Sequence, residues 1–262
     1  MKAADFLNYY SEHFDTVEVD STFYRTPSPS TVRGWSQRTP AGFIFSAKVP
    51  QVITHEKVLV NCDAEFQEFV GAMDILGDKL GVMVFQFPQF NRAAFKTADE
   101  FLVRLKPFLQ RLPQDYKFAV EIRNKTWLTA DFVNLLRQFR VALVLQDHSW
   151  MLHPNELYSR FDPITTDWTY IRWLGDRTAI ESIAKTWDNV VIDRTNELTS
   201  WVDFCYQTQK RGVTTYGYVN NHYAGYSPAT VEVFRSLWAA KGLPELARPQ
   251  RTLQKFSLFE AE

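Results

Sequence analysis

Residues Leu80–Pro88 read LGVMVFQFP, a short run that is apolar at odd and even positions alike over most of its length. A strand with one solvent-facing side alternates polar and apolar residues, whereas a strand covered on both faces is apolar throughout. The run therefore predicts a strand of a parallel sheet. Six further runs are similarly rich in Val, Ile, Phe and Tyr: Thr16–Asp20, Phe43–Pro50, Lys117–Arg123, Ala142–Asp147, Thr169–Gly175 and Thr214–Asn221.

Amphipathic segments separate these runs. Asp63–Leu76 carries apolar side chains at spacings of three and four residues, as a helix packed on one side does. Comparable patterns predict further helices at Ala3–His13, Ala94–Leu112, Ala130–Phe139, Leu198–Arg211 and Pro228–Ala240. Strands that alternate with helices indicate a parallel α/β fold, and no Gly-rich turn of the dinucleotide-binding type follows the first strand. We predict one TIM-type (β/α) barrel domain over residues 1–242 and a tail over residues 243–262.

The number of strands does not match a complete barrel. Seven strands are recognisable, whereas a closed TIM barrel has eight, and a predicted helix precedes the first visible strand. Either the first strand of the usual eight is missing or replaced, or the loop Ser149–Asp162 contains an eighth strand. The first alternative predicts a gap beside Thr16–Asp20 or a substitute strand that fills it.

The composition narrows the classes of function. Of the 262 residues 45% are hydrophobic, which suffices for one sizeable core, and the formal net charge is -1. A bulk nucleic-acid binder usually carries a basic excess, so that class is not favoured. Two cysteines cannot form a disulfide framework, and we find no signal-peptide pattern and no apolar run of about 18 residues. We expect a cytoplasmic protein that makes no membrane contact.

Polar side chains end almost every predicted strand. The carboxyl ends of the strands and the loops after them form the functional face of a parallel barrel. Three cations, Lys48, Arg123 and Arg172, would meet there, and such groups suit a phosphate or a carboxylate. The sequence therefore predicts a site for a small anionic ligand. The other candidates for substrate contact are Asp20, His55, Gln86, Trp173, Asn220, Asn221, His222 and Tyr223.

Glu18, Glu121 and Asp147 are the candidate catalytic residues. A carboxylate at such a site acts as general acid or base when burial and nearby cations adjust its pKa. The alternative for Glu121 and Arg123 is an internal salt bridge without a catalytic role. A metal site is not favoured, because the five histidines show no paired spacing and the cations would repel a divalent ion, and no cofactor is expected.

Several longer blocks resemble the YecE-like family, also named domain of unknown function 72. The blocks are Thr16–Trp35 (TVEVDSTFYRTPSPSTVRGW), Thr39–His55, Leu76–Phe90, Ala119–Trp127 and Tyr216–Thr230. The resemblance implies a TIM-type barrel whose activity is not established. Members of the family look as if they begin with a strand of the type Gly-Thr-Ser-Gly-Trp, which has no counterpart here. The family's Arg-x-His-Gly block reads Arg172-Trp173-Leu174-Gly175, so a mechanism that relies on its histidine is in doubt.

The tail contains Phe256-Ser257-Leu258-Phe259, which resembles the Gln-Leu-Ser-Leu-Phe type of peptide that binds the bacterial replication sliding clamp. Lys255 occupies the Gln position, so the match is imperfect. Phe256, Leu258 and Phe259 could insert into an apolar groove of such a partner, or they could pack on their own barrel.

Three functions are consistent with these observations. The favoured one is an enzyme, a hydrolase, lyase or isomerase, that acts on an anionic substrate by general acid/base chemistry. The alternative is a nucleic-acid-associated protein that binds a phosphate backbone and is recruited to the sliding clamp by its tail. A ligand sensor without a proton-transfer group is the third.

Overall fold

The computed structural model describes residues 5–243 and contains seven strands that are all parallel. The strands are β1 (Thr16–Val19), β2 (Ile44–Lys48), β3 (Leu80–Gln86), β4 (Lys117–Glu121), β5 (Ala142–Asp147), β6 (Trp168–Trp173) and β7 (Thr214–Val219). They are hydrogen-bonded in chain order from β1 to β7, which gives a nearly closed α/β barrel. The predicted TIM-type fold and its seven strands are confirmed.

Nine helices alternate with these strands within residues 5–243. They are α1 (Phe6–His13), α2 (Pro29–Gln37), α3 (Asp63–Asp74), α4 (Ala98–Leu109), α5 (Ala130–Gln138), α6 (Pro154–Tyr158), α7 (Arg177–Ile183), α8 (Thr195–Lys210) and α9 (Ser227–Ala240). The structure adds α2, α6 and α7 to the predicted set. The loop Ser149–Asp162 contains α6 and no strand, so the alternative of an eighth strand at that place is wrong.

The barrel is open between β1 and β7. Across residues 5–243 the two strands share no backbone ladder, and side chains bridge them instead. The hydroxyl of Tyr218 on β7 lies 2.7 Å from Thr16 Oγ1 and 2.8 Å from Ser46 Oγ. The gap predicted beside the first visible strand is therefore present and is spanned by polar contacts.

The sheet separates a small inner core from a large outer one. Seven buried side chains fill the inside of the barrel: Val82, Val84, Ala119, Ala142, Val144, Trp168 and Tyr170. The larger cluster lies between the outer face of the sheet and the helices, and most of the Phe side chains belong to it. Side chains on a strand alternate between the two faces, so the residue number decides which core a side chain joins.

Among the helices of residues 5–243, none combines the length and the apolar character that crossing a bilayer requires. The predicted tail, residues 243–262, lies outside the described residues except for its first position. The clamp-binding prediction for Phe256, Leu258 and Phe259 falls in that part of the chain.

Candidate functional site: the barrel mouth

A layer of polar side chains lies above the inner core, at the carboxyl ends of the strands. We call this layer the mouth cluster, and it consists of Glu18, Lys48, Gln86, Glu121, Arg123, Gln146 and Arg172. Most members share strand parity with apolar residues of the inner core below them, as Glu121 does with Ala119 and Gln146 with Val144, whereas Thr16 and Ser46 lie below Glu18 and Lys48. Gln86 pairs in register with Glu121, and Gln146 with Arg172, so the side chains stand at a similar height.

Arg172 is the centre of the mouth cluster and is buried. Its Nη1 donates to Glu121 Oε2 at 2.5 Å and to Gln86 Oε1 at 3.3 Å, and its Nη2 donates to Glu18 Oε1 at 2.7 Å. The Tyr170 hydroxyl donates to Glu18 Oε2 at 2.7 Å. Four strands thus contribute to a single hydrogen-bonded network, which satisfies a guanidinium that burial would otherwise penalise.

The charges of this network stabilise one another. Burial by itself would raise the pKa of Glu121, but contact with Arg172 and Arg123 holds it below its ordinary value. Burial would lower the pKa of Arg172, but Glu121 and Glu18 raise it instead. The pKa of Tyr170 is raised by burial and by the Glu18 carboxylate. Glu121 is therefore ionised at neutral pH and accepts hydrogen bonds at both oxygens.

Arg123 lies just beyond the end of β4 and is the most accessible cation of the mouth cluster. Its Nε donates to Glu121 Oε1 at 3.0 Å, and its side chain is 26% exposed. The two terminal amino groups have no hydrogen-bond partner within residues 5–243. A guanidinium fixed at Nε with a free terminal edge can receive a carboxylate or phosphate through two parallel hydrogen bonds.

Lys48, the last residue of β2, provides a second cation of the mouth cluster. Its Nζ lies 2.7 Å from Asp20 Oδ1 and 5.6 Å from the centre of the Phe23 ring. The Lys48 side chain is 14% exposed, whereas the Asp20 side chain is 62% exposed. An ion pair with so exposed a partner contributes little, so Asp20 can yield its place to another anion.

Two histidines lie close enough to the mouth cluster to sense its charges. His55 follows β2 in the turn Val52–Glu56, where its Nδ1 contacts Thr54 Oγ1 at 2.8 Å and its ring meets Phe23 edge-on at 5.0 Å. Its pKa is lowered by burial and by Arg123 and Lys48. His148 follows β5, and its pKa is lowered by burial and by Arg123. Both imidazoles are consequently neutral at neutral pH.

His148 was not among the predicted site residues, nor were Gln146 and Tyr170. The signal that could have found them is strand parity, because residues two positions apart point to the same face. Gln146 and His148 lie two and four positions after Val144, and Tyr170 lies two positions before Arg172. Gln146 Nε2 donates to the Ile122 carbonyl at 2.9 Å, and its buried Oε1 has no partner within residues 5–243. The inner wall of the mouth thus contains one unused acceptor.

Asp147, Trp173 and Tyr223 do not join the mouth cluster. Asp147 Oδ2 accepts hydrogen bonds from Trp201 Nε1 at 2.6 Å and from the Tyr223 hydroxyl at 2.9 Å, on the helix-facing side of the sheet. Trp173 is buried 5.5 Å from the rings of both Trp201 and Phe234. All three follow or end a strand as predicted, but odd parity turns Asp147 and Trp173 away from the barrel interior.

The predicted triplet Asn220, Asn221 and His222 builds the loop after β7. Asn220 Oδ1 accepts from the backbone of His222 at 2.9 Å and lies 2.7 Å from its Nδ1, and Asn221 Oδ1 accepts from the Ser227 backbone at 2.8 Å. His222 Nε2 lies 3.1 Å from Glu181 Oε1 on α7. Within residues 5–243 these contacts hold the loop and α7 together and include no member of the mouth cluster.

Among residues 5–243 no cluster of three or more His, Cys, Asp or Glu side chains has the arrangement of a metal site. Two surface grooves of about 760 and 580 Å³ lie outside the mouth and contain none of its side chains. The first follows β1 near Arg25 and Trp35, and the second lies beside Arg111 on the outer helix layer. Both are open to solvent, and neither contains a network of buried charged side chains like that of the mouth.

Solved structures share this fold. A DUF72 family protein from Enterococcus faecalis is 19% identical, with a TM-score of 0.65, and the match covers 92% of this chain and 95% of that one. A DUF72 family protein from Thermotoga maritima is 24% identical, with a TM-score of 0.64, and the match covers 92% of this chain and 90% of that one. At these identities the likeness concerns the fold.

Sequence relatives point the same way. UPF0759 protein YecE of Escherichia coli is 34% identical over 118 residues, which are 45% of this chain and 41% of YecE. UPF0759 protein YunF of Bacillus subtilis is 29% identical over 142 residues, 52% of this chain and 49% of YunF. The chain thus aligns with less than half of the length of each relative.

The family model described as protein of unknown function DUF72 matches residues 1–253. This chain therefore belongs to the DUF72 family, and part of its sequence resembles YecE and YunF.

Proposed function

We propose that the protein is an enzyme that binds a small anionic substrate at the barrel mouth and acts on it by general acid/base chemistry. The observation that carries the proposal is the free terminal edge of Arg123. This guanidinium is fixed on Glu121 by its Nε and is accessible from solvent, and its amino groups are unpaired within residues 5–243. Such an arrangement is prepared for a phosphate or a carboxylate without further reorganisation.

The distribution of charge supports an anion rather than a cation as the ligand. The carboxylates of Glu18 and Glu121 lie deep in the mouth, where guanidinium and hydroxyl donors occupy their oxygens. Arg123 and Lys48 lie nearer the solvent. An approaching ligand therefore meets positive charge first, while the buried carboxylates keep the two arginines ordered.

The hydrogen bonds of Glu18 and Glu121 also decide whether these carboxylates are suited to transfer a proton. Glu121 is fully buried, ionised and hydrogen-bonded at both oxygens, and Glu18 accepts a donor at each of its oxygens. A general base needs a lone pair that faces the substrate and a pKa near the working pH. Glu18 and Glu121 thus suit the positioning of Arg172 and Arg123 better than the catalytic role that the sequence suggested for them.

Anion binding can be measured without knowing the substrate. In isothermal titration with inorganic phosphate, we expect saturable binding by the wild type and at least a tenfold loss in Arg123→Gln, because about 1.5–3 kcal/mol of charge-assisted hydrogen bonding is removed. Arg235→Gln is the matched control, since Arg235 pairs with Glu232 on α9. Equal affinity in Arg123→Gln, or no saturable binding by the wild type, would contradict the proposal.

The catalytic part needs a second experiment. A panel of phosphate monoesters and carboxylate esters, lactones and hydroxy acids is incubated with the wild type, Arg123→Gln and Arg235→Gln, and products are detected by mass spectrometry. We expect turnover that Arg123→Gln loses and Arg235→Gln retains. Turnover that survives in Arg123→Gln would place the chemistry elsewhere in the molecule.

A further inference from the structure

Two side chains that the proposed mechanism has not used follow strands at the same end of the barrel as Arg123. They are His55, which follows β2, and His148, which follows β5, and the β4 strand that positions Glu121 and Arg123 lies between them in the sheet order. Both imidazoles are half-buried and feel the charges of Arg123 and Glu121. His55 meets the Phe23 ring that Lys48 also contacts, and His148 comes two residues after Gln146, which donates to the Ile122 carbonyl next to Arg123, so both imidazoles lie at the mouth.

Each imidazole is held in the same way. His55 is fixed at Nδ1 by Thr54 Oγ1 at 2.8 Å and by the edge of Phe23. His148 lies against the Trp150 ring, with 3.6 Å between ring centres, and its Nδ1 is 3.4 Å from Ser149 Oγ. In both, Nε2 has no hydrogen-bond partner within residues 5–243. A ring nitrogen that is oriented yet unpaired is the form in which histidine transfers protons.

We propose that His55 and His148 are the proton-transfer residues of the mouth, and that an oxyanion bound at Arg123 is taken up together with a proton on these imidazoles. The inference rests on the proposed anion-binding function and names its acid/base groups. The bound oxyanion neutralises the guanidinium charge, so a neutral imidazole accepts a proton from solvent at Nε2. The resulting imidazolium donates that proton to a substrate oxygen as a general acid and returns to its neutral form.

The groups that face the two histidines set the direction of this coupling. His55 faces Lys48 from β2 and Arg123 and Glu121 from β4. His148 faces the same two residues of β4, together with Asp147 from β5 and Asp176 at the start of α7. Free of ligand, burial and then the cations outweigh the carboxylates and lower the pKa of both rings. An added anion offsets the charge of the nearby cations, so the part of the lowering that they cause is removed and the pKa of each ring rises on binding.

Sulfate is the suitable probe, because it is an oxyanion that does not itself titrate near neutral pH. Isothermal titration in two buffers of different ionisation enthalpy gives the number of protons taken up per sulfate bound. We expect net uptake by the wild type at pH 7, and an affinity that rises by up to about tenfold per unit fall in pH for each proton taken up. The ring C–H signals of both histidines in NMR should titrate at higher pH with sulfate than without it.

Variants separate this coupling from simple electrostatic attraction. We expect His55→Asn and His148→Asn each to reduce proton uptake, and the double variant to bind sulfate through Arg123 without any uptake. His13→Asn is the matched control, because His13 is exposed on α1 and contacts the Tyr9 carbonyl. Sulfate binding without proton uptake by the wild type, or undiminished uptake by the double variant, overturns this inference and leaves the anion site standing. Absence of saturable sulfate binding overturns both.

Discussion

Arg172 pairs with two carboxylates inside the barrel, and its removal leaves Glu18 without a cation and Glu121 with Arg123 alone. Removing one partner of a buried ion pair costs about 3–5 kcal/mol, because the remaining charge is uncompensated. We therefore expect Arg172→Met to lower the free energy of unfolding by about that amount in urea denaturation at pH 7. Glu18→Gln in the same chain should recover part of the loss, since it removes the buried carboxylate that is left without a cation.

A surface pair supplies the control for this measurement. Arg211 donates two hydrogen bonds to Asp162, and both side chains are nearly half exposed. Exposed pairs contribute at most about 1 kcal/mol, so Arg211→Gln should change the unfolding free energy little. If Arg172→Met costs no more than Arg211→Gln, the central position of Arg172 in the mouth cluster is wrong.

The same variant has a pH dependence of predictable sign. In the wild type the pKa of Glu121 is lower folded than unfolded, so its stabilising contribution is present above the unfolded pKa and is lost as pH falls through the folded pKa. In Arg172→Met the main cation is gone, burial dominates, and the folded pKa moves upward. Protonation of Glu121 then removes the poorly compensated buried charge in the variant. The difference in unfolding free energy between the variant and the wild type should therefore become smaller as the pH falls from neutral toward the pH at which Glu121 is protonated in the variant. A deficit that stays constant over that range would contradict this account.

The sequence predicted most members of this network, though not Tyr170, and it did not predict which of them pair. Glu18, Gln86, Glu121, Arg123 and Arg172 were all recognised as polar residues at strand ends. The bond from Arg172 to Glu18 joins residues 154 positions apart and depends on how far the barrel closes, which no local pattern encodes. Parity would have sorted inward from outward side chains, and it separates Asp147 from its neighbours Gln146 and His148.

At the level of strands and helices, one glycine connects the loops after β6 and β7. Gly175 has φ +68, and its amide donates to the Asp147 carbonyl at 3.0 Å. A Cβ at this position would lie 2.2 Å from the His222 carbonyl oxygen and 2.6 Å from Tyr223 Cα, both backbone atoms of the β7 loop. The loop after β6 can therefore approach the loop after β7 only because residue 175 lacks a side chain.

Gly175→Ala should consequently destabilise the protein more than the backbone angle alone explains. We expect about 3 kcal/mol, of which about 1 kcal/mol comes from the left-handed backbone and the rest from displacing the loop. Gly212→Ala is the control, because Gly212 has φ +74 and no atom within 4 Å of the added Cβ. Thermal or urea denaturation of the two variants gives the comparison. Equal losses would mean that the close approach of the loops contributes nothing.

The long amphipathic segments and apolar runs were sufficient to predict the main helices and all seven strands, with ends that shift by a few residues. Of the helices that sequence patterns missed, α6 and α7 are short, and α2 has only Val32 and Trp35 as large apolar side chains. For α2 a capping signal existed, since Ser28 caps the helix through the Thr31 amide and Pro29 opens it. Such short helices are fixed by packing on the barrel more than by their own periodicity.

For the molecule as a whole, the open side of the barrel is its most distinctive feature. Ordinary closure satisfies the edges of the first and last strands through backbone hydrogen bonds. Here Tyr218 reaches from β7 to Thr16 and Ser46, and Tyr170 and Arg172 reach from β6 to Glu18. Two members of the mouth cluster, Glu18 and Arg172, therefore also take part in the contacts across the opening. Closure of the fold and assembly of the candidate site share this ion pair, and Tyr218 adds a second bridge across the opening.

Tyr218→Phe tests this dependence while leaving the inner core filled. The variant removes only the hydroxyl, whose two contacts bridge the opening, so we expect a loss of about 1–2 kcal/mol in unfolding free energy. In hydrogen–deuterium exchange the amides of β1 and β7 should exchange faster, while those of β5, in the middle of the sheet, should not change. Tyr216→Phe is the matched control, because Tyr216 lies on the same strand and the same face and its hydroxyl has no partner within residues 5–243. A uniform change across the sheet, or the same effect in both variants, would mean that the opening is held by general packing rather than by the Tyr218 bridge.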